Sequence, residues 1–220
     1  LPEKVTFDKI KKKLNGLISV PVGISKDELE TMRYNFLEYT GTIISSIKLE
    51  YIKNFIMSLC YELLQIPNTN IVFIDACKKM NEIKNILKNY YNNNFDKSLE
   101  MLLDYYKKSE NTNEILIISG IDKLTNLLEN KTIFNEIVQL FKKKENNKII
   151  IMDDAAKMRG ITLESWYQKT FSNTDGIWIG KGISDQTIFK ITLVNREITK
   201  PISNEYGIFI KEGIPTIIKL

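Results

Sequence analysis

The chain of 220 residues contains no histidine. That absence removes Ser-His-Asp and Cys-His catalysis, histidine metal ligation and a histidine proton switch. Cysteine is nearly missing as well, with Cys60 and Cys77 alone and no CxxC pair. Both read as reduced, buried thiols of the sort a cytosolic protein carries. No apolar run approaches the ~18 residues that a membrane-spanning helix needs. A strong charge of one sign is absent too: 31 Lys and Arg stand against 27 Asp and Glu, for a net charge of +4. That balance is far from a nucleic-acid-binding arm. Lys11 to Lys13 and Lys142 to Lys144 are the sharp basic runs, and both read as solvated helix ends. The opening "LPEKVTF" is neither a signal peptide nor a methionine start. The expectation is a segment of a longer protein, with any membrane anchor outside it.

What the chain has is an ordinary soluble balance, 43% apolar and 26% charged, at a length that supports a core without disulfide or metal staples. Residues 1–16 read as a linker carrying a short amphipathic helix at 5–14, and 17–220 as one domain. Segments 18–25 and 30–38 read as extended, with Pro21 suited to an edge strand. "GTIIS" (41–45) is a third strand. It leads into a helix in which Leu49, Ile52, Ile56, Leu59 and Leu63 recur at three- and four-residue spacing. Continuous apolar strands follow at 70–76, 115–118 and 148–154. Helices are expected at 79–91, at 95–109 and at 121–144, the last broken near Asn130. A short helix at 162–171 has Thr162 as its expected N-cap. A strand at 175–181 and a closing hairpin turning at Glu212-Gly213 complete the chain. Strands separated by helices imply βαβ units and a mostly parallel sheet covered on both faces. The fold class is therefore α/β, three layers deep, with a C-terminal β-hairpin.

Parallel α/β sheets bind ligands at the carboxyl ends of their strands, and three such ends can be read. After "GTIIS", a phosphate loop of the form GxxxxGK[ST] would wrap a nucleotide's phosphates in backbone N–H groups. The chain offers Ser45, Ser46 and Lys48, but Lys48 misses the lysine register and bulky Ile47 and Leu49 stand where glycines belong. "EILIISGIDKL" (114–124) begins as an acid-bearing ATPase strand, yet ends in Ser119 and Gly120. Ser119 is at most a weak metal ligand, and Gly120 supplies no base. Asp122 comes three residues late, where complementing a helix dipole is its plain role. "IIIMDD" ends in Asp153 and Asp154, a pair of acids poorly suited to a phosphate and more often solvated or capping the next turn. The layout is that of a phosphate-handling ATPase with all three chemical positions substituted. No catalytic residue and no metal ligand set can be assigned. ATP with magnesium remains only as a weak ligand of a distorted pocket formed by Ser45, Ser46, Lys48, Ser119 and Asp122.

Four segments carry a resemblance: "VPVGISKDELETMRYNFLE", "ILIISGIDKL", "FSNTDGIWIGKGISDQTIF" and "YGIFIKEGIPTIIKL". On them the chain resembles the FtsK/SpoIIIE-type motor ATPases. It is most similar to the last of the tandem ATPase modules in type VII secretion membrane proteins of the EssC/YukB type. The resemblance implies a RecA-like, P-loop NTPase-type fold and a cytoplasmic place in a membrane-anchored secretion machine. It also implies neighbouring ATPase modules in the same protein and assembly into rings, as hexamers. In that family C-terminal modules are often degenerate, which implies substrate recognition or regulation rather than hydrolysis, with helical secreted proteins as partners.

Trp166 and Tyr167 are either core residues or an aromatic docking patch for such a helix. Trp178 is expected on one sheet face. Arg159 and Arg196 are candidates for reaching a neighbouring module, with surface ion pairs as the plainer reading. Two functions therefore compete. One is a pseudo-ATPase module for recognition, ring assembly or regulation. The other is a weak ATP-binding or slowly hydrolysing motor. A DNA-translocating motor would need a basic strip and intact motifs, and the sequence has neither.

Overall fold

A computed structural model describes residues 19–35, 40–109, 113–192, 196–200 and 202–220. The expected helix or linker at 5–14, the boundary after residue 16 and the Lys11–Lys13 run lie outside them.

In chain order the strands are β1 (Ser19–Ser25), β2 (Thr31–Asn35), β3 (Gly41–Ser46), β4 (Thr69–Asp75), β5 (Asn89–Tyr91), β6 (Asn113–Ser119), β7 (Lys148–Asp154), β8 (Gly176–Ile179), β9 (Tyr206–Lys211) and β10 (Ile214–Lys219). The helices are α1 (Lys53–Leu64), α2 (Phe95–Lys108), α3 (Ile121–Leu124), α4 (Leu128–Lys142), α5 (Ala155–Ile161), α6 (Ser165–Gln168) and α7 (Arg196–Thr199). All ten strands join one sheet in the order β2-β1-β10-β9-β8-β3-β7-β6-β4-β5. The run from β8 to β5 is parallel. The closing hairpin β9–β10 and the strands β1 and β2 extend it antiparallel.

The parallel strands read as unbroken apolar runs because both of their faces are covered. Side chains alternate across the pleat. Leu116, Ile118, Ile149 and Ile151 join Phe134, Phe141, Leu99 and Leu102 of α4 and α2 on one face. Ile115, Ile117, Ile150 and Met152 join Ile56, Leu59 and Leu63 of α1 on the other. These two cores make the three layers expected from the sequence. The closing turn falls where expected: Glu212 and Gly213 both have positive φ, 52° and 76°, the two left-handed positions of a two-residue hairpin turn. The Glu212 N–H donates to the Asp175 carboxylate at 3.0 Å, which anchors the strained position. Trp178 is fully buried, as expected, and its indole N–H donates to the Lys181 carbonyl at 3.0 Å.

Three local expectations are corrected. Residues 79–91 do not form one helix but a single 3-10 turn, Asn81–Asn85, followed by β5. The cause is Asp75, whose carboxylate accepts the N–H groups of Lys79 and Met80 and the Tyr90 hydroxyl, at 3.2, 2.8 and 2.7 Å, pulling this segment back along the sheet edge. Tyr90 then stacks on Phe73. The break in the 121–144 helix falls at 125–127, not at Asn130, which lies inside α4, buried, with its amide donating to Asp96 at 2.8 Å. Thr162 does not cap the helix that follows. It is the C-cap of α5, and its hydroxyl donates to the Arg159 carbonyl.

Trp166 and Tyr167 take the core reading, at 5% and 3% exposure. Trp166 meets Phe134 edge-on with centroids 5.1 Å apart, and Tyr167 stacks on Phe171 at the same separation. Trp166→Ala should therefore destabilise the fold by about 3–5 kcal/mol in a denaturant titration, the range for deleting a large buried aromatic. A loss below about 1 kcal/mol would show that the ring does not pack as described.

Candidate functional site

The parallel register brings the sequence-predicted positions to one edge of the sheet. Ser45 lies opposite Asp153, Ser46 opposite Asp154, and Ser119 between Asp75 and Met152. Along this carboxyl edge stand the ends of β4, β6, β7, β3 and β8. This is the edge where a doubly covered parallel sheet places a ligand.

The turn after β3 is not a phosphate loop. Ile47 and Lys48 alone separate the strand from the 3-10 turn Leu49–Tyr51 that leads into α1. Two residues are too few to wrap a phosphate group. Ser45 and Ser46 are fully buried, and their hydroxyls donate to neighbouring backbone, Ser45 to the Asp153 carbonyl at 2.8 Å and Ser46 to the Ile179 carbonyl at 2.7 Å. Ile47 fills the space that Gly182 leaves open: a Cβ built on Gly182 would fall 2.6 Å from the Ile47 methyl. Lys48 is extended and exposed.

The N–H of Leu49, which opens the 3-10 turn, donates to an Asp154 carboxylate oxygen. The other oxygen pairs with Lys157 at 2.9 Å, and Lys157 also reaches Asp153 at 3.3 Å. A carboxylate and an ammonium from β7 and α5 thus stand at the turn between β3 and α1, on the carboxyl edge of the sheet. At the outer rim Glu50 pairs with Lys79 at 2.6 Å.

The end of β6 excludes an acid by shape as well as by sequence. Gly120 has φ +80°, and a Cβ on it would lie 2.5 Å from the Cys77 sulfur. A glutamate there would need both a left-handed backbone and a displaced thiol. Ser119 is fully buried, and its hydroxyl has no hydrogen-bond partner; the same holds for one oxygen each of Asp122 and Asp153. Asp122 sits in the first turn of α3, as expected.

Asp153 is fully buried. Burial pushes its carboxyl up to about 6, against the pull of the Asp154 N–H and of Lys157, with Asp122 adding to the rise. Burial opposes the charge on Lys157, but the bond to Asp154 and the nearby Asp153 outweigh it and hold the ammonium above its usual range. Burial, with Asp153 beside it, raises the Cys77 thiol to about 11, so Cys77 is no nucleophile near neutral pH. Among the described residues, no three Asp, Glu or Cys side chains are arranged to hold a metal ion. The residues present do not fit a magnesium-bound triphosphate. Lys157 is shared between Asp154 and Asp153.

Two members of this arrangement were not singled out from the sequence. Lys157 had a signal in "DDAAK", where a helix places it three and four residues after the two acids. Asp75 had one in "NIVFIDA", an acid closing a buried strand.

Asp153 gives a pH test. A carboxyl whose folded pKa exceeds its unfolded value takes up protons more readily in the folded state. Its contribution is therefore most favourable below about pH 4 and is lost as pH rises towards 6, by on the order of 2–3 kcal/mol. Asp153→Asn removes this cost. The stability of the variant relative to the parent should improve by that amount between pH 4 and pH 7.5 in paired chemical denaturations. A difference that stays flat with pH would mean that Asp153 titrates normally.

No protein-family model matches this chain, and no curated relative does. Solved structures do. EssC (ATPases 2 and 3) from Geobacillus thermodenitrificans superposes with a TM-score of 0.72 at 15% identity, covering 100% of this chain and 44% of that one. Thermomonospora curvata EccC (ATPases 2 and 3), in complex with a signal sequence peptide, gives 0.68 at 11% identity, over 100% of this chain and 43% of the other. The pCW3 conjugation coupling protein TcpA, as a monomer with ATPγS, gives 0.68 at 12%, over 96% and 67%. The chain spans less than half the length of the two secretion proteins. At these identities the likeness is one of fold, and the fold is that of the secretion and conjugation ATPase domains.

Proposed function

We propose that this chain is a non-hydrolysing ATPase-fold module of a type VII secretion coupling protein, serving substrate recognition and the assembly or regulation of a ring. The observation that carries the reading is the Asp154 carboxylate on the Leu49 N–H. A scaffold that normally offers this position to a phosphate here fills it from within. The retained fold then has value as a platform for protein contacts.

Two further observations support the platform. Leu127, Leu128 and Leu163 are exposed, at 53%, 79% and 77%, in the two segments that the 2.7 Å ion pair of Lys131 and Glu164 ties together, the start of α4 and the turn before α6. Exposed leucines with a charged rim suit the apolar face of an amphipathic helix, and the EccC structure was solved with a signal sequence peptide. Docking is thus assigned to these exposed leucines in place of the buried Trp166 and Tyr167. Arg159 and Arg196 are exposed and available to neighbouring modules in a ring, at the cytoplasmic side of a membrane-anchored protein.

Isothermal titration of the chain with Mg-ATP is the direct test. No saturable binding is expected below ~1 mM, an affinity of only about −4 kcal/mol. Saturable, magnesium-dependent binding that Lys48→Ala abolishes would overturn the reading in favour of a weak motor. For the docking surface, Leu128→Asp with Leu163→Asp should weaken binding of a fluorescent signal-sequence helix by about tenfold or more, with the thermal melt unchanged. Unaltered anisotropy curves would remove that surface from the account.

A further inference from the structure

The turn that follows α6 meets the sheet at the edge opposite the buried serines and acids: Phe171 bridges to Gly41, the first residue of β3. There the end of α6, the residues after it and the segment at 187–188 line a cavity of about 480 Å³. Both of its walls are held by their own hydrogen bonds. On one, the Phe171 N–H donates to the Tyr167 carbonyl at 2.9 Å, and the Gln168 amide donates to the Thr162 carbonyl at 3.3 Å. On the other, the Gln186 side chain accepts the N–H groups of Ile188 and Phe189, each at 2.6 Å. The Lys190 N–H then ties that segment to the Asn173 carbonyl at 2.7 Å. The cavity is built into the fold, and its size falls in the range of small-molecule sites, about 300–1,000 Å³.

The chemistry of the lining selects the occupant. No Asp, Glu, Lys or Arg lines the cavity, so an ion entering it would leave water and meet no opposite charge. The side chains of Asn173 and Thr187 make no hydrogen bond to other described residues, and Gln168 uses its amide nitrogen but not its side-chain oxygen. Tyr167 also lines the cavity, and its buried hydroxyl has no partner. Burial holds that hydroxyl above its usual range, so it stays protonated and can donate. A purely apolar ligand would strand these amides and hydroxyls. A sugar ring matches them, because its hydroxyls donate and accept at close intervals while its C–H faces suit Phe171 and Ile188.

We infer that this cavity is a binding site for a neutral sugar, held by Gln168, Asn173 and Thr187 and by the hydroxyl of Tyr167. The site lies apart from the strand ends and does not depend on whether the chain handles nucleotide.

The test is a titration of the isotope-labelled whole chain with methyl glucoside, read by amide shifts, with glucose 6-phosphate as the charged counterpart. Saturable shifts are expected at residues 167–173 and 186–190, with a Kd on the order of millimolar. Glucose 6-phosphate should bind at least about tenfold more weakly, because its charge finds no partner. Asn173→Ala with Thr187→Ala should cut the affinity by about tenfold or more at an unchanged thermal melt, since neither side chain is engaged by the fold. Tyr167→Phe keeps the stack on Phe171 and should weaken binding by several-fold. No saturable shift up to about 100 mM methyl glucoside, or shifts confined to other residues, would overturn the site. Equal binding of the phosphate ester would overturn the choice of a neutral ligand. Full affinity in the double variant would place the sugar elsewhere and overturn the assignment, and full affinity in Tyr167→Phe would strike the hydroxyl from it.

Discussion

Burial of both faces of the parallel sheet is the constraint from which the rest of the structure follows. β6 and β7 send alternate isoleucines, leucines and a methionine into two separate cores, one against α2 and α4 and the other against α1. At roughly 1.5–3 kcal/mol for each fully buried aliphatic side chain, no polar group can sit mid-strand without a partner. Polar residues are therefore pushed to the strand ends, where the sheet emerges between the helix layers. Ser45, Ser46, Ser119, Asp153 and Asp154 all cluster there for that reason.

Those ends turn most of their polar groups on one another. A phosphate loop keeps its backbone donors open and its lysine free. Here the donors are satisfied internally: two serine hydroxyls bond to neighbouring carbonyls, Leu49 to Asp154, and Lys157 to both acids. Gly120 cannot be replaced by an acid without colliding with Cys77. Ile47 packs against Gly182 and Cys77 against Gly120, so this edge is filled by several contacts.

Much of this was legible beforehand. The continuous apolar runs gave the parallel strands because period-free hydrophobicity is the signature of two-sided burial, and Glu212-Gly213 gave the hairpin because a two-residue turn requires left-handed backbone. The segment at 79–91 was misread as helix because its capping partner, Asp75, is fixed by the sheet and not by local spacing. Asn130 was misread as a break because its partner Asp96 lies on another helix. Trp166 and Tyr167 could be weighed but not placed, since four residues of helix leave their direction to whatever packs beside them.

The sequence by itself determined that histidine chemistry is excluded, that the domain is a layered α/β sheet, and that the lysine, glycine and acid of a phosphate site are out of place. Those facts depend on residue identity and short-range period. Only the tertiary structure decided that the leftover groups meet. Asp154 lies 105 positions from Leu49, and nothing local links them. The parallel pairing of β3 with β7 sets the two ends side by side, so that the carboxylate of one segment meets the backbone N–H of the other.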